Sequence, residues 1–186
     1  MRLVVAITGS SGVIYGVRLL EVCRKLGVET DVVITKDAEN LLHLELGRSP
    51  EEVKGLATRS YRPDELTAPI ASGSHRMDGM VIVPCSMKTL GAVASGIASN
   101  LVNRAADVTL KQNRQLVLVP RETPLNMIHL ENMERLKRAG ATILPASPAF
   151  YQKPETISDL VDFIVGRILE MFGIEHGLYR HWGGPG

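Results

Sequence analysis

Apolar positions fall along this chain in two alternating patterns. Leu3 to Thr8 is continuously apolar rather than alternating, which predicts a strand buried on both faces. Val13 to Leu26 follows, with Val13, Val17 and Leu20 at helical spacing. Thr30 to Thr35 predicts a second strand and Asp37 to Leu46 a second helix. Ser49-Pro50-Glu51-Glu52 opens another helix, with a capping serine, proline in the first turn and glutamate three residues after the cap. Further strands are predicted at Met80 to Val83, Leu116 to Val119 and Thr142 to Leu144. Helices are predicted over Leu90 to Ala98, Leu101 to Gln112 with Asn100 as cap, about Asn126 to Ala139, and about Thr156 to Phe172. Arg59 to Met77 shows no periodicity and predicts a long loop of the kind that carries function.

Strand and helix alternate five times with no internal repeat or linker. That pattern predicts a single α/β domain over residues 1–186: an open parallel sheet with helices on both faces, a Rossmann/flavodoxin-like three-layer sandwich. The glycine-rich tail, about 174–186, is expected to pack on the site or on a neighbouring subunit. Ligands of such sheets sit beyond the carboxyl ends of the strands. The segments that fall there are Gly9–Gly12, Thr35-Lys36, Cys85–Thr89, Arg121-Glu122 and Ala146–Tyr151.

Composition narrows the function classes. The 186 residues carry 21 Lys and Arg against 20 Asp and Glu, a net charge of +1, so nothing draws the chain generally to nucleic acid. No apolar run approaches the roughly 20 residues of a membrane span, and no membrane insertion is expected. Two cysteines, Cys23 and Cys85, fit a reducing compartment, and a cytoplasmic location is expected. The five histidines show no metal-ligand spacing, and no catalytic metal is expected.

Thr8-Gly9-Ser10-Ser11-Gly12 joins a buried strand to a helix N-terminus, where free N–H groups and hydroxyls suit a phosphate or a flavin. Dinucleotide binding is disfavoured, because Gly9, Gly12 and Gly16 do not space as G-x-G-x-x-G. In Pro84-Cys85-Ser86-Met87-Lys88-Thr89, the hydroxyls of Ser86 and Thr89 can meet a cofactor, while Cys85 reads as a buried thiol rather than a nucleophile. Glu122 beside Arg121 is an acid–base candidate or an ion-pair member, evenly weighed. Arg104 and Lys111, seven apart, share one helix face. Arg167 sits among Ile164, Val165, Ile168 and Leu169, where its stem either snorkels to water or anchors a phosphate.

Several motifs, in order, resemble the flavin prenyltransferases of the UbiX type, within the homo-oligomeric flavin-containing decarboxylase fold family. They are T-G-S-S-G (Thr8–Gly12) followed by Tyr15-Gly16, A-S-G-S (Ala71–Ser74), P-C-S-x-K-T-L (Pro84–Leu90) and N-R-A-A-D-V-x-L-K (Asn103–Lys111). Further on come V-P-R-E-T-P-L (Val119–Leu125), H-L-x-N-M (His129–Met133) and P-A-F-Y-x-x-P (Pro148–Pro154). The resemblance covers Leu3 to Trp182 and implies that a dimethylallyl group passes from dimethylallyl phosphate to N5 and C6 of reduced FMN. The prenylated FMN would serve a UbiD-type decarboxylase, and the enzyme would be a homo-oligomer resembling a dodecamer.

By the same resemblance, Gly9, Ser10, Ser11, Thr35, Ser86, Met87, Lys88, Thr89 and Arg121 match flavin-binding positions. Tyr151 and Arg167 match the residues holding the prenyl phosphate, with Lys111 and Arg104 nearby across a subunit boundary; on cation–π grounds Trp182 and Tyr151 are candidate aromatic faces for the allylic cation. Glu122, Ser11 and Lys111 match catalytic positions. Two departures stand out. Leu66 replaces a tryptophan found in certain members, and the Asn of the P-A-S-A-N-T motif in the sister Cys-decarboxylases is absent. Decarboxylation of the Cys type and non-catalytic FMN carriage are the alternatives.

Overall fold

The computed structural model describes residues 1–180 and 183. Six strands form one sheet in the order β3-β2-β1-β4-β5-β6, every pair parallel. They are β1 (Arg2–Ile7), β2 (Glu29–Ile34), β3 (Arg59–Tyr61), β4 (Gly79–Cys85), β5 (Gln115–Pro120) and β6 (Thr142–Ile143). This is the order of the dinucleotide-binding folds, with the chain reversing direction across the sheet between β1 and β4. The predicted open parallel sheet is therefore present. The crevice beyond Ile7 and Cys85 is where such a topology places a ligand.

Helices α1 (Val13–Lys25), α2 (Lys36–Leu46), α3 (Pro50–Lys54) and α7 (Ile157–Met171) cover one face of the sheet. The other face carries α4 (Met87–Ala94), α5 (Leu101–Lys111) and α6 (Met127–Arg138). Central strands are buried almost throughout because both faces are covered, which is why they read as unbroken apolar runs. Side chains alternate between the two cores: Val5 and Ile7 join α1 and α7, whereas Val4 and Ala6 join α4 and α5.

Predicted caps hold. The Ser49 hydroxyl accepts from the Glu52 N–H while the Glu52 carboxylate accepts from the Ser49 N–H, and Asn100 caps α5 through the Asn103 N–H. Two expectations need correction. Arg59 to Met77 is not all loop: Arg59–Tyr61 adds an edge strand to β2, and Pro69–Ala71 forms a 3-10 turn. Three residues are too few for periodicity to register. The helix predicted over Leu90 to Ala98 is instead Met87–Ala94, ending where Gly96 takes φ +69°.

Candidate active site

At the carboxyl edge of the sheet, hydroxyls act first as staples. Thr8 Oγ1 donates to the Pro84 carbonyl at 2.8 Å and accepts from the Ser86 N–H at 2.8 Å, joining the loops after β1 and β4. Ser10 Oγ donates to the Arg121 carbonyl at 2.8 Å, joining the loop after β5 as well. Ser86 caps α4, accepting from the Thr89 N–H at 3.3 Å and donating to Thr89 Oγ1 at 3.1 Å. These hydroxyls, expected to meet a ligand, are engaged in holding three loops in one crevice.

Glycines let those loops close. An added Cβ on Gly9 would overlap the Asp37 side chain. On Gly12, at φ +101°, it would press on the Tyr15 ring at 3.2 Å. On Gly16 it would lie 2.5 Å from the Val83 carbonyl, so this glycine seats α1 against the sheet. Helix α2 lies across the first loop: Asp37 in its first turn meets Gly9 and pairs with Lys88 at 3.2 Å, and Glu45 in its last turn reaches α1. The Glu45 carboxylate accepts from the N–H groups of Gly12 at 2.9 Å and Val13 at 3.2 Å. These donors were expected to be free for a ligand; a carboxylate occupies them, as the positive end of α1 favours. No feature of the sequence marks Glu45, because it lies 33 residues from the glycine it contacts.

Two buried polar atoms in this crevice have no hydrogen-bond partner among the described residues: Thr35 Oγ1 and Arg121 Nε. Leaving such groups buried and unpaired costs about 1–3 kcal/mol each, more for a charged group, unless a ligand meets them. Both positions were predicted as flavin contacts. Arg121 also lies over Tyr15, whose phenol burial pushes up against the opposing charge of Arg121. Glu122 is exposed beside Arg121, with its Oε1 accepting from the Thr123 N–H at 3.2 Å. Cys85 is fully buried and its thiol is pushed up to about 12 by burial, which removes it as a nucleophile.

The remaining predicted residues belong to other segments. Tyr151 packs edge-on against Phe163 of α7, ring centroids 6.2 Å apart, in a group that includes Arg167. Arg167 does not belong to the buried stripe: its side chain is 46% exposed and pairs with Glu170. Arg104 donates to the Ala71 carbonyl at 3.1 Å and pairs with Asp107 at 2.9 Å, fastening the A-S-G-S segment to α5. Lys111 ends α5 beside the amino end of β5, whereas Arg121 follows its carboxyl end. Six residues of strand put about 20 Å between those ends. One chain therefore does not bring Lys111 to the Thr35–Arg121 crevice. Trp182 lies outside the described residues.

Residues 1–169 match the family model described as Flavoprotein. Flavin prenyltransferase UbiX of Methanocaldococcus jannaschii is 46% identical over 183 residues, 98% of this chain and 99% of that protein. The chain belongs to the UbiX-type flavin prenyltransferase family. A crystal structure of AnUbiX (PadA1) in complex with FMN and dimethylallyl pyrophosphate superposes at TM-score 0.98, with 48% identity, over 100% of this chain and 98% of that one. A dodecameric FMN-dependent UbiX-like decarboxylase from Escherichia coli O157:H7 superposes at 0.97 with 49% identity, over 99% of this chain and all of that one. Among the described residues, no helix is long and apolar enough to cross a membrane.

Proposed function

We propose that this chain is a flavin prenyltransferase, joining a dimethylallyl group from dimethylallyl phosphate to reduced FMN and releasing phosphate. The observation that supports this most directly is the pair of unpartnered buried groups, Thr35 Oγ1 and Arg121 Nε, in the crevice of a family named for that activity. Gly9, Ser10, Ser11, Ser86, Met87, Lys88 and Thr89 would complete the flavin site, largely through backbone atoms, since the Ser10 and Ser86 hydroxyls are already committed. When bound, reduced FMN supplies the nucleophilic nitrogen N5 and carbon C6.

The protein's own work is electrostatic. As the allylic C–O bond breaks, charge gathers on the departing phosphate; Arg167, Lys111, Arg104, Tyr151 and Ser11 would stabilise it with donors set in advance. Glu122 would manage protons, either on the departing phosphate or in ring closure, where the prenyl alkene gains a proton as its π bond breaks and the ring carbon gives one up as the second bond forms. Lys111 reaches a site only from another copy of the chain, which fits a dodecamer-like homo-oligomer. Leu125, Met127, Ile128 and Leu130 are exposed together around the start of α6 and suit burial between copies. The product would pass to a UbiD-type decarboxylase. Two buried free thiols, Cys23 and Cys85, support a cytoplasmic setting.

Anaerobic incubation with reduced FMN and dimethylallyl monophosphate, or the diphosphate, should yield flavin heavier by one prenyl unit. Unmodified flavin with both donors would favour the Cys-type decarboxylase or the carrier alternative. Glu122→Gln should bind FMN normally and stall before ring closure; unchanged product from that variant would remove Glu122 from the reaction.

A further inference from the structure

The segment from His176 to Tyr179 folds back over α7 around a glycine. An added Cβ on Gly166 would overlap the rings of Tyr179 and His176, so only glycine lets both seat on the helix beside Arg167. Tyr179 packs on Phe163 and on His176, ring centroids 5.0 Å apart in both cases. Its hydroxyl donates to the Glu170 carboxylate, and the other oxygen of Glu170 accepts from Arg167. His176, almost fully buried, lies 3.5 Å from Glu170. Gln152, next to Tyr151 in sequence, donates to the Arg180 carbonyl at 2.5 Å and ties the same segment to the Tyr151 loop.

Burial opposes the charge on Arg167, while Tyr179, Glu170 and Tyr151 together hold its guanidinium above the ordinary range. One of its N–H groups is committed to Glu170. A guanidinium has five N–H donors in a rigid fork, so pinning one edge aims the other. We propose that Glu170 and Tyr179 are positioning residues that fix Arg167 beside Tyr151 as a preorganised phosphate clamp. The proposal rests on the prenyl-donor reading given above. Neither residue need touch the donor, and preorganisation lowers the cost of holding it.

Tyr179→Phe keeps the ring contacts and removes only the hydroxyl. The expected result is a rise of about tenfold in KM for dimethylallyl phosphate, the size of one charge-assisted hydrogen bond, with FMN affinity unchanged. Glu170→Ala should do the same, and Glu170→Gln should recover part of the loss. Calorimetric titration with inorganic phosphate, which needs no turnover, should weaken in parallel. Unchanged KM and phosphate affinity in both Tyr179→Phe and Glu170→Ala would overturn the proposal. So would a joint fall in melting temperature, FMN affinity and kcat with KM unmoved, the mark of a merely structural contact. A wild-type protein that binds phosphate but makes no prenylated flavin would defeat the prenyl-transfer reading; the phosphate titrations would still decide the clamp. Absence of phosphate binding in the wild type would overturn the clamp directly.

Discussion

Arg121 draws its importance from what it lacks. Its carbonyl is held by Ser10, its side chain lies over Gly12 and Tyr15, and its buried Nε has no partner among the described residues. A buried cationic donor in that state calls for an explanation, and the proposed flavin would supply the acceptor. Arg121→Ala should weaken FMN binding by about ten- to hundredfold, the range for a hydrogen bond to a charged group, measured by flavin fluorescence quenching. An unchanged affinity would place the flavin elsewhere. Both cysteines are equally plain at this scale. With each thiol pushed up to about 12 by burial, thiolate is scarce at pH 8, and native protein should resist iodoacetamide until denatured.

Among the elements, α1 is the piece that sets the crevice. Gly16 lets it lie against Ile7 and Val83, Glu45 closes its N-terminus, and Arg18 ties it to α7 through Asp162 at 2.6 Å. Gly16→Ala puts a methyl 2.5 Å from the Val83 carbonyl and 2.8 Å from Ile7 Cγ1. Backbone cannot give way cheaply, so the expected cost is about 1–3 kcal/mol of unfolding stability, read by denaturant titration. Gly55→Ala is the contrasting case. Its φ is −65° and the nearest atom to an added Cβ is 3.4 Å away, so a gain of about 0.4–1 kcal/mol is expected. Equal effects from the two substitutions would deny the tight seating of α1.

At the scale of the whole molecule, the predicted site residues divide between the two ends of one sheet. Thr35 and Arg121 stand at the carboxyl edge, and Lys111 at the amino edge about 20 Å away. A shared site resolves this only if copies of the chain associate. Mixing Lys111→Ala with Arg121→Ala, each expected to be impaired alone at limiting FMN, and allowing subunits to exchange should therefore restore part of the turnover. Heterologous sites then contain both intact residues. Recovery no greater than the sum of the separate variants would place the two residues on the same chain's site.

The sequence by itself determined the layered fold and the loops that bear chemistry. Unbroken apolar strands such as Val81–Val83 and Leu116–Val119 can be buried on both faces only in a helix-covered parallel sheet, and the ligand edge of such a sheet is known in advance. Gly9, Gly12 and Gly16 were visible for the same reason, since glycine is a local signal of close approach. Only the tertiary structure decided which hydroxyls are staples and which groups are left unpartnered. Ser10 is 111 residues from the carbonyl it holds, Thr8 is 78 from the amide it accepts, and Glu45 is 33 from Gly12. Glu170 and Tyr179 are only nine residues apart, yet their carboxylate and hydroxyl meet only because the chain turns back across Gly166. Periodicity records how a segment meets water. Pairing between segments depends on where the fold brings them, and no local pattern encodes that.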